Sequence, residues 1–152
     1  MSKALLSVKV ERRSIAIAIF RDHVLRYAEA LNLSSSLEMA MQSAMDFVVR
    51  YLHRFDVHSA VLEDSHADDE ARSAELLGHV ERALLSEGTP TKRVGKQTLF
   101  EAYSVVPLSS RRELHEVVRS FWPQLYTMDF PRAVMDAAAV GLYEDTEARL
   151  SG

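Results

Sequence analysis

The reactive side chains of this sequence are acids, basic residues and histidines, because cysteine is absent. Without thiols, disulfides, thiolate metal ligands and cysteine nucleophiles are all excluded. No pair among the six histidines has the spacing with a glutamate that marks a zinc protease. There is no Gly-x-Ser-x-Gly elbow, and the five glycines form neither a P-loop nor a dinucleotide-binding loop. Kinase, NTPase, Rossmann and serine-hydrolase functions are therefore excluded.

One polar connection places a histidine among acids. His66 lies close in sequence to Asp64, Asp68 and Asp69, a composition that suits a metal ligand or a general base. An exposed loop followed by a helix N-cap explains the same composition. Both interpretations stay open.

The basic residues form three short clusters within a chain whose net charge is −4. Such a chain has no global field that attracts nucleic acid, so any nucleic-acid contact requires a local basic patch. Solvated surface is the ordinary interpretation of charged pairs. The clusters are Arg12-Arg13, Lys92-Arg93 with Lys96, and Arg111-Arg112.

Apolar periodicity predicts the elements that position these side chains. Residues 6–10 and 15–19 alternate between apolar and polar or small types, which predicts two strands. The small Ala16 and Ala18 indicate that another element packs closely over their face. Before the first helix, serines 34–36 supply N-cap hydroxyls, and Glu38 is placed to complete a capping box from Ser35. The predicted strands cover about 5–11, 14–20, 24–31, 57–62 and 91–94, although 28–31 also suits a helix, and the predicted helices cover about 37–55, 69–86, 97–104, 111–122 and from Pro131 onward.

The order β-β-β-α-β-α-β-α-α-α predicts an α/β fold with a mixed five-stranded sheet flanked by helices. In it, a three-strand antiparallel meander is joined to parallel crossover strands. The length and composition predict a single domain over residues 1–152. No apolar stretch approaches the ~20 residues that span a bilayer, and the N-terminus lacks the apolar run of a secretory signal. We therefore expect a cytoplasmic protein that contacts no membrane.

The element order resembles the ribonuclease H-like fold, and two local stretches resemble the RuvC-type Holliday junction resolvases. Residues 60–63, Ala-Val-Leu-Glu, are similar to the end of the fourth strand, where that family carries a catalytic glutamate. Residues 135–142, Met-Asp-Ala-Ala-Ala-Val-Gly-Leu, are similar to the family's Asp-Ala-Ala-Asp-Ala-Leu at the start of the last helix. Residues 110–118 resemble the segment before that motif. The resemblance implies Mg²⁺-dependent phosphodiester hydrolysis with Glu63 and Asp136 as catalytic metal ligands, and it implies that Arg12, Arg13, Lys92, Arg93 and Lys96 flank the site and bind phosphates.

The sequence departs from the family pattern at two of the expected acids. Lys9 occupies the slot of the aspartate in the first strand, within a pattern like Ile-Gly-Ile-Asp-x-Gly, and Ala139 replaces the second aspartate of the last helix. Glu11 lies on the same strand face as Lys9, about 6.6 Å further along at ~3.3 Å per residue. It is the candidate for a displaced third catalytic carboxylate. An ammonium at position 9 repels metal ions, and it can instead occupy a metal's place and pair with Glu63 or Asp136.

Two functions from different classes stay open. The first is a non-catalytic or weakly catalytic RuvC-like module that binds nucleic acid or a protein. The second is a divergent metal-dependent endonuclease that cleaves Holliday junctions, with Mg²⁺ as its cofactor. The net charge and the incomplete acid set favour the first, and the retained Glu63 and Asp136 favour the second. The apolar face of the first helix also suits a homodimer.

Overall fold

The computed structural model describes residues 3–64, 71–103, 108–121 and 131–151. Within these residues no helix is long and apolar enough to cross a membrane. The strands are β1 (Ala4–Val10), β2 (Ser14–Arg21), β3 (Val24–Asn32), β4 (Val57–Glu63) and β5 (Thr91–Val94), and the helices are α1 (Leu37–Arg54), α2 (Ala71–Ser86), α3 (Lys96–Ala102), α4 (Arg111–Phe121) and α5 (Arg132–Ser151).

The strands form one five-stranded sheet in the order β3-β2-β1-β4-β5. β1, β2 and β3 are antiparallel neighbours, whereas β4 runs parallel to both β1 and β5. A meander extended by parallel crossover strands is the predicted architecture, and it is confirmed. The helical alternative for residues 28–31 is wrong, because these residues pair with β2 in β3.

The start of α1 differs from the prediction by one residue. Ser36 is the N-cap, and its hydroxyl accepts a hydrogen bond from the Met39 amide at 3.5 Å. The Ser34 hydroxyl instead accepts from the Ser36 amide at 3.1 Å. The predicted capping box between Ser35 and Glu38 is therefore wrong, and Glu38 is an acid in the first turn, where it interacts favourably with the helix dipole.

One face of the sheet is covered by α1 and α2. The branched residues of β2, Ile15, Ile17 and Ile19, are fully buried there with Leu6 and Val8 of β1. Alternation along each strand sends these side chains to one face, so the other face receives the intervening residues. Lys9 of β1 is one of those intervening residues.

The other face is covered by α5, which lies unusually close to the sheet. Ala16 and Ala18 pack with the alanine-rich part of α5, as their small size predicts. A Cβ added at Gly141 would collide with the ring of Phe20 and lie 2.7 Å from the Ser7 hydroxyl. The same hydroxyl donates to the Ala137 carbonyl at 2.6 Å. These contacts fix the first turns of α5 over β1.

Candidate functional site

The pairing of β1 with β4 brings Lys9 beside Glu63. These parallel strands pair Ser7 with Val61 and Val8 with Leu62, so Lys9 and Glu63 occupy the next step along both strands. The Lys9 ammonium forms an ion pair with Glu63 Oε2. The Glu63 side chain is 1% exposed and that of Lys9 is 13% exposed. The lysine in the slot of the expected aspartate therefore contacts the acid that the resemblance identifies as a metal ligand.

Burial acts in opposite directions on the two members of this pair. Burial raises the pKa of Glu63 above its ordinary value, and the ammonium of Lys9 offsets only part of that rise. Burial lowers the pKa of Lys9, but the Glu63 carboxylate outweighs it, so the pKa lies above its ordinary value. Lys9 therefore carries a positive charge at neutral pH. Glu63 therefore contacts a permanent positive charge.

Asp136 lies near the start of α5 and is held by two bases of α4. His115 Nε2 lies 2.7 Å from Asp136 Oδ1, and Arg111 forms an ion pair with Oδ2. Because an ionised carboxylate can only accept, Nε2 carries the ring hydrogen. Burial by itself raises the pKa of Asp136, but the hydrogen bond from His115 and the pairing with Arg111 outweigh it, and the pKa lies below its ordinary value. Asp136 is therefore an ionised, fully enclosed carboxylate.

Glu11 is linked to Asp136 through Arg111. Arg111 Nη2 lies 3.1 Å from Glu11 Oε1 and also pairs with Asp136, so one guanidinium bridges two of the predicted site acids. The charges of Asp136 and Arg111 also act on the pKa of Lys9, which places both halves of the site within electrostatic reach. We name the set the acid cluster: Glu11, Glu63 and Asp136 with Lys9, Arg111 and His115.

The acid cluster does not fit a pair of Mg²⁺ ions. Two-metal sites use converging carboxylates whose charge is left for the metals. Here each carboxylate already has a permanently charged partner, Lys9 or Arg111. In the part of the chain that the structure describes, no three histidine, aspartate or glutamate side chains converge as metal ligands. The resemblance implies this metal chemistry, but the side chains present balance their own charge instead.

The second departure from the family pattern removes a ligand. Ala139 is fully buried in α5. Its carbonyl accepts a hydrogen bond from the Tyr103 hydroxyl. Position 139 therefore packs α5 against α3 and the sheet, and it contributes no carboxylate to the acid cluster.

The predicted phosphate-binding residues lie in different surroundings. Lys92 pairs with Glu144 at 2.8 Å, and Arg93 pairs with Glu81 at 2.9 Å and Asp64 at 3.0 Å. Lys96 lies near enough to Glu63 for its charge to act on that pKa. Arg12 and Arg13 lie exposed in the turn between β1 and β2. A phosphate-binding role for all five stays a prediction.

Sequence reasoning missed two members of the acid cluster, His115 and Arg111 in its bridging position. Residues 111, 115 and 119 recur at four-residue spacing, which puts them on one face of α4. Leu114 and Val118 are buried in the core beside that face. A histidine one position after a core leucine, and one turn after an arginine, was the available signal. The other predicted cluster, around His66, Asp68 and Asp69, lies outside the described residues.

Comparison with solved structures shows the fold. A Thermus thermophilus RuvC structure matches with a TM-score of 0.82 at 18% identity, covering 97% of this chain and 96% of that chain. A fowlpox virus resolvase bound to substrate Holliday junction DNA matches with a TM-score of 0.65 at 14% identity, covering 94% of this chain and 99% of that chain. The yeast mitochondrial Holliday junction resolvase matches with a TM-score of 0.65 at 9% identity over 91% of this chain and 77% of that chain.

No protein-family model matches the sequence, and no curated protein matches it. Identities of this size establish the architecture alone. The chain therefore has the ribonuclease H-like fold of the RuvC-type resolvases, as the resemblance predicts. The acid cluster lies on that shared framework.

Proposed function

We propose that this protein binds branched nucleic acid on a RuvC-type fold and does not hydrolyse it with metal ions at the acid cluster. The observation that carries the proposal is the buried pairing of Lys9 with Glu63. A lysine there supplies the positive charge that metals would otherwise bring to that carboxylate. The pairing of Asp136 with Arg111 and His115 extends the same arrangement to the second retained acid.

The energetics favour retention of these pairs over capture of a metal. Removing one partner of a buried ion pair leaves an uncompensated charge and costs about 3–5 kcal/mol. A divalent ion entering beside Glu63 has to displace Lys9 or approach its ammonium, and both are unfavourable. The cluster is therefore a structural element that keeps α4 and α5 against the end of the sheet.

The proteins that share the fold support branched DNA as the proposed ligand. The Thermus thermophilus RuvC and the fowlpox virus resolvase are both described in complexes with a Holliday junction substrate. Their fold extends over nearly the whole of this chain. A shared fold does not by itself determine function, so the binding assay below tests whether this chain recognises a junction.

A divergent nuclease is the second candidate, and one observation favours it. Glu63 Oε1 is buried and has no hydrogen-bond partner among the described residues. A free carboxylate oxygen of this kind is able to ligate a cation. Retention of both Glu63 and Asp136 points the same way.

Binding and cleavage are tested with one set of labelled DNAs: a four-way junction, a flap and a duplex of equal length. We expect binding of the junction in preference to the duplex, and no cleavage with Mg²⁺, Mn²⁺ or chelator. Metal-dependent cleavage that is lost in both Glu63→Gln and Asp136→Asn would establish the nuclease. Absence of binding to all three DNAs would remove the proposed function.

Metal binding is tested separately by thermal unfolding. A ligand that binds only the folded state raises the melting temperature, and we expect Mn²⁺ to leave that of the wild type unchanged. Lys9→Asp combined with Ala139→Asp rebuilds the acid set that the resemblance implies, so this variant should gain a Mn²⁺-dependent rise. A rise in the wild type itself would contradict the proposal.

The homodimer, a protein partner and the cytoplasmic location stay predictions. Light scattering on the eluting peak of a gel-filtration column measures the oligomeric state directly. It requires no assumption about the ligand.

A further inference from the structure

A second feature of α4 lies on the solvent side of the acid cluster. It is a pocket of about 510 Å³. The N-terminal residue of α5, Arg132, forms part of its wall. We name it the arginine pocket, and its lining residues are Arg111, Arg112, His115, Glu116, Arg119 and Arg132.

Positive charge is in excess in the arginine pocket. Among the described residues that line it there are four arginines and one acid, Glu116. Arg111 is already paired with Glu11 and Asp136, so the excess charge comes from Arg119 and Arg132. Arg112 and Glu116 approach to 3.4 Å one turn apart, but both side chains are largely exposed, so this contact is weak. Arg119 and Arg132 form no ion pair with any described residue, and the buried Arg119 Nε has no hydrogen-bond partner there.

We propose that the arginine pocket binds phosphate groups of nucleic acid. Guanidinium groups present several donors in a fixed plane that match phosphate oxygens, often in pairs. The pocket also lies at the start of a 20-residue helix, whose N-terminal dipole favours an anion. This inference rests on the proposed function, and it assigns phosphate recognition to residues outside those predicted from the sequence.

Three other basic residues are less suited to the same ligand. Lys92 and Arg93 are held by three carboxylates, so a phosphate would compete with existing ion pairs. Lys9 is enclosed against Glu63 and is not presented to solvent as a free cation. Arg119 and Arg132 have no such competitor among the described residues.

The test compares two double variants of equal charge change. Arg119→Gln/Arg132→Gln removes the two arginines without acidic partners. Arg26→Gln/Arg149→Gln is the matched control, because these exposed arginines lie outside the pocket and approach Asp22 and Asp145 only at 3.8 Å. Junction affinity is measured from 50 to 200 mM salt by fluorescence anisotropy, with melting temperatures to verify folding.

We expect the pocket variant to bind junction DNA about tenfold or more weakly at low salt. Its slope of log affinity against log salt should fall by about 1 to 2, since each lost phosphate contact removes about one unit. The control variant should change both quantities much less. Arg119→Lys/Arg132→Lys keeps the charge but loses the planar set of guanidinium donors. It should therefore preserve the salt dependence of the affinity and lower the affinity itself by a smaller factor.

The source of the phosphate is resolved by three further ligands. These are a single strand with a 5′-phosphate, the same strand without it, and inorganic tripolyphosphate. A preference for the phosphorylated end, lost in the pocket variant, assigns a terminal phosphate; equal binding of both strands assigns the backbone. Tripolyphosphate binding without binding of either strand or of junction DNA would overturn the assignment to nucleic acid.

Failure of the inference and failure of the proposed function give different results. If the wild type binds junction DNA and the pocket variant binds it with unchanged affinity and salt slope, the arginine pocket is not the phosphate site. If the wild type binds no nucleic acid at all, the proposed function fails first.

Discussion

The acid cluster and the arginine pocket share Arg111 and His115, yet they differ in how their charges are paired. In the acid cluster, buried carboxylates and cations neutralise one another at contact distance. In the arginine pocket, Arg119 and Arg132 add positive charge that no acid among the described lining residues balances, since Glu116 approaches Arg112. Buried charges that already have partners are costly to separate and resist an incoming ion, whereas unbalanced accessible charge attracts one. The proposed ligand therefore belongs on the solvent side of α4.

The largest effect should come from breaking the balance at Lys9. Lys9→Met leaves the buried Glu63 carboxylate without its cation, and we expect the free energy of unfolding to fall by about 3–5 kcal/mol. Adding Glu63→Gln removes the unpaired charge and should restore more than half of that loss. Urea denaturation of the two single variants and the double variant measures this coupling.

An exposed pair supplies the matched control for that cycle. Lys92→Met and Glu144→Gln disrupt an ion pair in which Lys92 is 60% exposed. Their coupling should stay within about 0–1 kcal/mol. Equal coupling in the two cycles would mean that Lys9 and Glu63 behave as a surface pair, and the contrast between the two regions would be lost.

Asp136→Asn should have the next largest effect. The amide keeps the shape of the side chain but removes the charge that Arg111 and His115 stabilise, and we expect a loss of about 1.5–3 kcal/mol. Glu116→Gln, on the pocket side of α4, should change stability by less than about 0.5 kcal/mol. A neutral result for Asp136→Asn in urea denaturation would show that α5 packing alone positions this residue.

The pH dependence of stability should separate the two buried acids. The fold lowers the pKa of Asp136, so its contribution is present above the unfolded value of about 3.9 and is lost as the pH falls through the folded pKa. The stability difference between the wild type and Asp136→Asn should therefore shrink below about pH 4. Chemical denaturation at pH 7 and at pH 3 measures it.

Glu63 should show the opposite dependence, because the fold raises its pKa. Burial favours its protonated form. The contribution of Glu63 to the free energy of unfolding is therefore present below its unfolded-state pKa and is lost as the pH rises through its folded-state pKa. A Glu63 contribution that instead grows with pH would mean that the attraction of Lys9 exceeds the cost of burial.

The strands of the sheet were predictable because the alternation of residue types that forms them is local in sequence. Ile15, Ile17 and Ile19 alternate with small residues, and that pattern specifies both a buried face and a face that admits α5. The exact cap was not predictable, because three consecutive serines offer the same chemistry and tertiary position selects Ser36. The departure at Lys9 was also visible in sequence, because Lys9 occupies the slot of the aspartate in the family pattern. Its pairing with Glu63 follows from the register of β1 and β4.

The rest of the site depends on how α4 docks, which periodicity does not specify. The pattern of Leu114 and Val118 places a buried face on that helix. It does not indicate that His115 and Arg111 meet Asp136, 21 and 25 residues further along the chain. The grouping of Arg119 with Arg132 likewise requires the contact between α4 and the start of α5.

The smallest expected effect tests whether the excess positive charge of the arginine pocket determines its affinity for junction DNA. Glu116 is the one acid among the described residues that line it, and it approaches Arg112 in a solvent-exposed pair. Glu116→Gln should free Arg112 and remove a repulsive charge, so junction binding should tighten by less than about 1 kcal/mol at low salt. The gain should disappear at high salt, because screening removes the charge effect. Asp22→Asn makes the same charge change on the β2–β3 turn and should leave binding unaltered, and an equal gain there would mean that net charge, rather than the pocket, determines affinity.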